Sequence, residues 1–109
     1  MTASLPRPLD RAESFFWFLD RFSSMNFAVI AECASPIDPG ALPAALAAVR
    51  GRHPLLGAAI EVVGGRLHFV PRPQAPVPLE TLTAADWRNA LAGCIVRPFA
   101  LGEAPLMRA

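Results

Sequence analysis

The chain contains no lysine: all ten of its basic residues are arginine, set against nine acidic residues, for a net charge of +1. A balance this even gives no electrostatic drive toward nucleic acid or an anionic membrane. The arginines are scattered rather than clustered, so coding bias accounts for their use better than a built anion fork. Charged residues make up 17% of the sequence, below the usual quarter. Cysteine occurs twice, as Cys33 and Cys94. Two thiols cannot form a disulfide framework, and both are expected to be buried and free. The most concentrated apolar run, "FFWFL" at 15–19, is five residues long. A span needs roughly 20. With no signal segment visible, the expected location is cytoplasmic, with no membrane span.

What the chain has in quantity is apolar surface: 53% of residues are hydrophobic. A length of 109 residues allows one domain with a modest core. Asp10 and Glu13 form a capping box with Asp in the usual Ser/Thr place, starting a helix that runs to about Arg21. Phe15, Phe16, Trp17, Phe18 and Leu19 make this helix apolar nearly all round, which demands cover on more than one side. Residues 25–34, "MNFAVIAECA", predict a strand. Phe27, Val29, Ala31 and Cys33 share one face; Ala28, Ile30 and Ala34 share the other, interrupted by Glu32.

Asp38 and Pro39 then suit the N-cap and first position of a second helix. Leu42, Leu46 and Val49 recur at helical spacing, and Pro43 bends the helix start. Pro54 ends this helix near Gly51 or Arg52. "LLGAAIEVV", Gly64-Gly65 and "RLHFV" predict a β-hairpin. Leu56, Ala58, Ile60 and Val62 line one face of its first strand; Leu67 and Phe69 line one face of the second, with His68 opposite. "PRPQAPVP" is an extended connector. Thr83 with Asp86 starts a third helix, with Trp87, Leu91, Cys94 and Ile95 as its apolar stripe and Pro98 as its stop. Leu106–Ala109 predicts a last strand. The expected order is α-β-α-β-β-α-β, an α/β chain built as an α+β two-layer sandwich.

Chemistry is sparse. His53 precedes a proline at a helix end, where a structural role suffices. His68 sits within a hairpin strand. Two histidines and two distant cysteines have no metal-ligand spacing. Gly64-Gly65 is explained by a tight turn, no phosphate loop or G-x-S-x-G elbow occurs, and Glu32, Glu61 and Glu80 are isolated. The aromatic block at 15–19 is better read as core than as an acyl pocket. No catalytic residue and no metal ligand is assigned, and no residue identifies a cofactor site.

Three stretches together resemble a known family. "PLDRAESFFWFLDRF" at 8–22, "RHPLLGAAI" at 52–60 and "RPFALGEAPLMRA" at 97–109 resemble, in order and spacing, landmarks of condensation-domain and polyketide-associated acyltransferases. The resemblance implies a chloramphenicol-acetyltransferase-like fold and acyl transfer to an alcohol or amine. It implies coenzyme A or a phosphopantetheine thioester as acyl donor for the complete enzyme, with no cofactor bound to this chain. Phe15 stands where condensation domains carry Arg, and Gly57 and Ala58 stand where they often carry Arg-Thr. The chain therefore looks more like the polyketide-associated or alcohol acyltransferase branch.

The family's His-His-x-x-x-Asp-Gly motif, whose second histidine is the general base, does not occur here. His53 and His68 do not match it. The resemblance therefore implies that residues 1–109 are one partial domain, the N-terminal portion of such an enzyme and inactive alone. Its expected partners are the missing C-terminal half, a second polypeptide, or a second copy through an exposed strand edge. The alternative is a small non-catalytic binding or dimerisation module of the same half-fold.

Overall fold

The computed structural model describes residues 4–83 and 85–109. It is a small mixed α/β structure with three helices and a three-stranded antiparallel sheet. The sheet is built on the expected hairpin. Strand β2 (Ala58–Val63) and strand β3 (Arg66–Pro71) pair from Val63↔Arg66 to Ala58↔Pro71. Gly64 and Gly65 take φ of 59° and 78°, the left-handed pair that a two-residue turn requires and that glycine adopts without steric cost. Strand β1 (Arg7–Pro8), which the sequence pattern did not suggest, pairs with the other edge of β3 and places β3 at the centre.

Helix α1 (Arg11–Leu19) starts where its cap dictates. The Asp10 carboxylate accepts from the Glu13 N–H, and the Glu13 carboxylate accepts from the Asp10 N–H, both at 2.8 Å. The helix is two residues shorter than expected, since bonds from Arg21 to Phe18 and Phe22 to Leu19 tighten it into a turn. Asp38 caps a short 3-10 turn, Pro39–Ala41, which leads into helix α2 (Leu42–Arg52), so Pro43 lies in the first turn where it removes no intrahelical bond. A second 3-10 turn, Pro54–Gly57, takes Leu56 out of the strand to which alternation assigned it. Helix α3 (Trp87–Ile95) is capped by Asp86. It starts three residues later than a Thr83 cap would set it.

Two expected strands do not form. Residues 25–34 form no strand: no neighbouring segment pairs with them among the described residues, and Phe27 and Val29 are 87% and 89% exposed. Alternation shows that a segment can be a strand; a ladder also needs a partner. Leu106–Ala109 is likewise outside the sheet, although the Ala109 N–H bonds to the Pro78 carbonyl and its carbonyl accepts from Glu80, both at 2.9 Å. Cys33 and Cys94 are free but exposed, contrary to the expectation of burial. Cys33 lies on the unpaired segment and Cys94 on α3, and neither stretch has a buried residue.

The core is correspondingly small. Leu9, Ala58 and Phe69 form it, with Leu5, Trp17, Leu55, Ile60, Leu67 and Leu106 packed against them. Helices α2 and α3 contribute no side chain to this cluster, so the expected two-layer sandwich is not closed over the sheet. The radius of gyration is 15.4 Å, against roughly 13 Å for a compact chain of this length. Accessible surface is 7996 Å², against roughly 5,900 Å² expected for 11.7 kDa, a surplus of about 2,100 Å².

Candidate functional site

The residues that sequence analysis considered for chemistry are not brought together. His53 is exposed at the C-terminus of α2, where its N–H bonds to the carbonyls of Val49 and Arg50 at 3.1 and 3.3 Å. It finishes a helix, as its position before Pro54 suggests. His68 lies on β3 opposite Glu61 and Pro8, with Nδ1 3.0 Å from the Arg66 carbonyl. Glu61 pairs with Arg72, while Glu32 is exposed on the unpaired segment. No group of three His, Cys, Asp or Glu side chains arranged to hold a metal occurs among the described residues.

A cleft of about 390 Å³ opens between α2 and the end of the hairpin, lined by Leu5, Arg50, Gly57, Pro71 and Arg72 among others. Its size suits a small ligand. Its cations each hold a contact: Arg50 donates to the Ala75 carbonyl and Arg72 to the Glu61 carboxylate. Both contacts hold the proline connector and the hairpin in place.

The best-organised polar group lies in the C-terminal segment. The Arg108 guanidinium donates to the carbonyls of Arg97 and Pro98 and to Glu103 Oε2, each at 2.8 Å, and stacks 3.8 Å from the Phe99 ring centroid. Glu103 Oε1 accepts from the Ala100 N–H at 3.1 Å. Burial at Glu103 pushes its pKa up, but the Ala100 N–H, the Arg108 guanidinium and the Arg97 charge outweigh this and hold it below the usual carboxylate range. The loop closed in this way presents Gly102, whose N–H bonds to the Ile60 carbonyl at 2.9 Å, and Leu106, whose N–H bonds to the Leu56 carbonyl at 3.1 Å. Residues 97–109 thereby cover part of the free edge of β2.

A second ion pair fixes the other end of the sheet. Arg7 makes a bidentate contact with Glu13, at 2.8 and 2.9 Å, and lies over the Phe69 ring at 4.9 Å. This contact lowers the Glu13 pKa and raises that of Arg7. Sequence analysis found Glu13 through its capping role but missed Arg7 and Arg108, whose partners are set by the folded path of the chain.

These groups are structural clamps. The main feature left is uncovered apolar surface. Phe15, Phe16 and Phe18 of α1 are exposed, as are Phe22, Phe27, Val29 and Ile30. No helix of the described residues is long and apolar enough to cross a membrane. Comparisons with known protein families, with curated proteins and with solved structures found no match.

Proposed function

We propose that this chain is the N-terminal portion of a thioester-dependent acyltransferase with a chloramphenicol-acetyltransferase-like fold. The enzyme would move an acyl group from coenzyme A or a carrier-protein thioester to an alcohol or amine. One observation carries the reading: the three stretches that resemble the family's landmarks meet in a single cluster. Leu9 comes from the first, Leu55 and Ala58 from the second and Leu106 from the third. Backbone bonds from Leu106 to Leu56 and from Gly102 to Ile60 tie the second landmark to the third. Convergence of this kind is what a set of landmarks from one fold requires.

In this reading the chain supplies scaffold and not catalysis. The general base belongs to the His-His-x-x-x-Asp-Gly segment of the remaining polypeptide. It takes the proton of the acceptor, the acceptor oxygen or nitrogen attacks the thioester carbonyl, and the C–S bond breaks to release the thiol. The exposed aromatic face of α1 is then a surface for the rest of the enzyme. The test is thiol release from acetyl-coenzyme A and from an acyl-carrier thioester, measured for this chain alone and with the polypeptide encoded downstream of it. Turnover only in the combined sample is expected. Turnover by the chain alone, or none in the combined sample, overturns the reading. A non-catalytic dimerisation module is the second reading, favoured by the unpaired segment after α1.

A further inference from the structure

We infer that the cleft between α2 and the end of the hairpin binds a small organic carboxylate, whose charge pairs with Arg50. The first support is an incomplete ion pair. Arg7, Arg50, Arg72 and Arg108 are partly buried, whereas Arg11, Arg21, Arg52, Arg66, Arg88 and Arg97 are exposed. Three of the partly buried arginines have a carboxylate partner: Arg7 has Glu13, Arg72 has Glu61 and Arg108 has Glu103. Arg50 makes no ion pair, although all nine acidic residues lie among the described residues. It donates from Nη1 to the Ala75 carbonyl, and its other N–H groups have no acceptor among the described residues. A guanidinium that is partly withdrawn from water and lines a cavity without a counter-charge favours an anion that brings one.

The second support is the lining of the cleft. No acidic residue borders it, and its volume of about 390 Å³ suits a small ligand. Leu5, Pro54, Pro71 and Pro73 give it apolar walls, so the ligand that fits has an apolar body besides its charge. Gly57 makes room for the stem of Arg50. It is buried, and a Cβ placed on it would meet Arg50 Cγ at 3.0 Å, closer than ordinary contact. The packed stem holds the guanidinium at the cleft, so it has less freedom to lose on binding. The planar fork it presents matches the two oxygens of a carboxylate.

Arg72 also lines the cleft, but Glu61 already matches its charge. Arg50 therefore supplies the uncompensated positive charge of the site. This inference does not rest on the acyltransferase reading, because ligand binding by the chain alone and thiol release are independent readouts.

The test is an amide NMR titration of the purified chain at neutral pH and low salt, with sodium benzoate, neutral benzamide and inorganic phosphate as probes. The expected result is saturable shifts of the Gly51, Gly57 and Arg72 amides with benzoate, at a Kd about tenfold below that for benzamide, the effect of one charge-assisted pair. Arg50→Met keeps an apolar stem, removes the charge and should abolish this preference. Arg52→Met, at an exposed position outside the cleft, should keep it. Equal Kd values for benzoate and benzamide on the wild type overturn the proposal without any variant. So do the absence of a saturable shift, shifts spread over the exposed arginines, and phosphate binding as tight as benzoate. A preference that survives Arg50→Met or is lost in Arg52→Met overturns it as well.

Discussion

Two regions of this chain have similar apolar content and opposite fates. The hairpin with its flanking segments buries Leu9, Ala58 and Phe69 and pairs both edges of its central strand. The stretch after α1 has the same kind of sequence, with Phe27 and Val29 on one face and Ile30 on the other, and leaves all three exposed. The hairpin brings its own partner, two residues away across Gly64-Gly65. The segment at 25–34 has no such neighbour in sequence, and where the chain returns to it, at Ile95 and Arg97, it bonds only the Asn26 side chain and forms no ladder. Apolar alternation therefore supplies a strand with its faces, and connectivity decides whether those faces are covered.

The largest effect that would sharpen this contrast is in hydrogen exchange. Amides of β2 and β3 should be protected by many orders more than those of residues 27–37, which have no acceptor among the described residues. Comparable protection in both regions would contradict the difference in pairing. Next is Phe69→Ala, which removes the largest side chain of the core and the ring under Arg7. A loss of about 3 kcal/mol in urea-unfolding free energy is expected. Asp10→Ala removes the acceptor that caps α1 and should cost about 1 kcal/mol in the same measurement.

Acid should act on the clamped regions. Glu13 and Glu103 both have pKa values lowered below the ordinary 4.5 in the folded chain. A carboxylate depressed by folding adds stability that is complete above its unfolded pKa and is lost as pH falls through its folded pKa. The urea midpoint should therefore fall as pH drops from about 5 toward 3, and Glu103→Gln should reduce that slope. An unchanged slope in the variant would remove Glu103 from the account. The smallest effect is expected for Phe27→Ala. Under conditions that keep the chain monomeric, it should change stability by less than about 0.5 kcal/mol, the usual size for an exposed position.

Much of the local architecture was legible. Asp10 with Glu13, Asp38 with Pro39, Pro54 and the Gly64-Gly65 pair each act over a few residues, and each starts, ends or turns an element close to where the sequence places it. The third cap was legible in type but misplaced, because Thr83 and Asp86 are both good caps and local chemistry does not rank them. The paired edge at Arg7–Pro8 was not legible, since two residues carry no period. The cysteines were misjudged because burial was inferred from each segment's apolar stripe, and neither segment has a fully buried residue. The Arg108 clamp spans 97–108 and depends on the loop folding back, so residue spacing did not reveal it.

By itself, the sequence determined the helices, the hairpin and its turn, the lack of a metal-ligand pattern and the surplus of apolar side chains. These follow from dihedral preference, capping and composition, which operate within a few bonds or over the whole chain at once. Only the tertiary structure decided which apolar faces meet. It brought Leu9, Ala58, Phe69 and Leu106 together and left Phe15, Phe27 and Val29 in solvent. Burial is a property of pairs of surfaces, and the chain path sets which surfaces can come within contact distance.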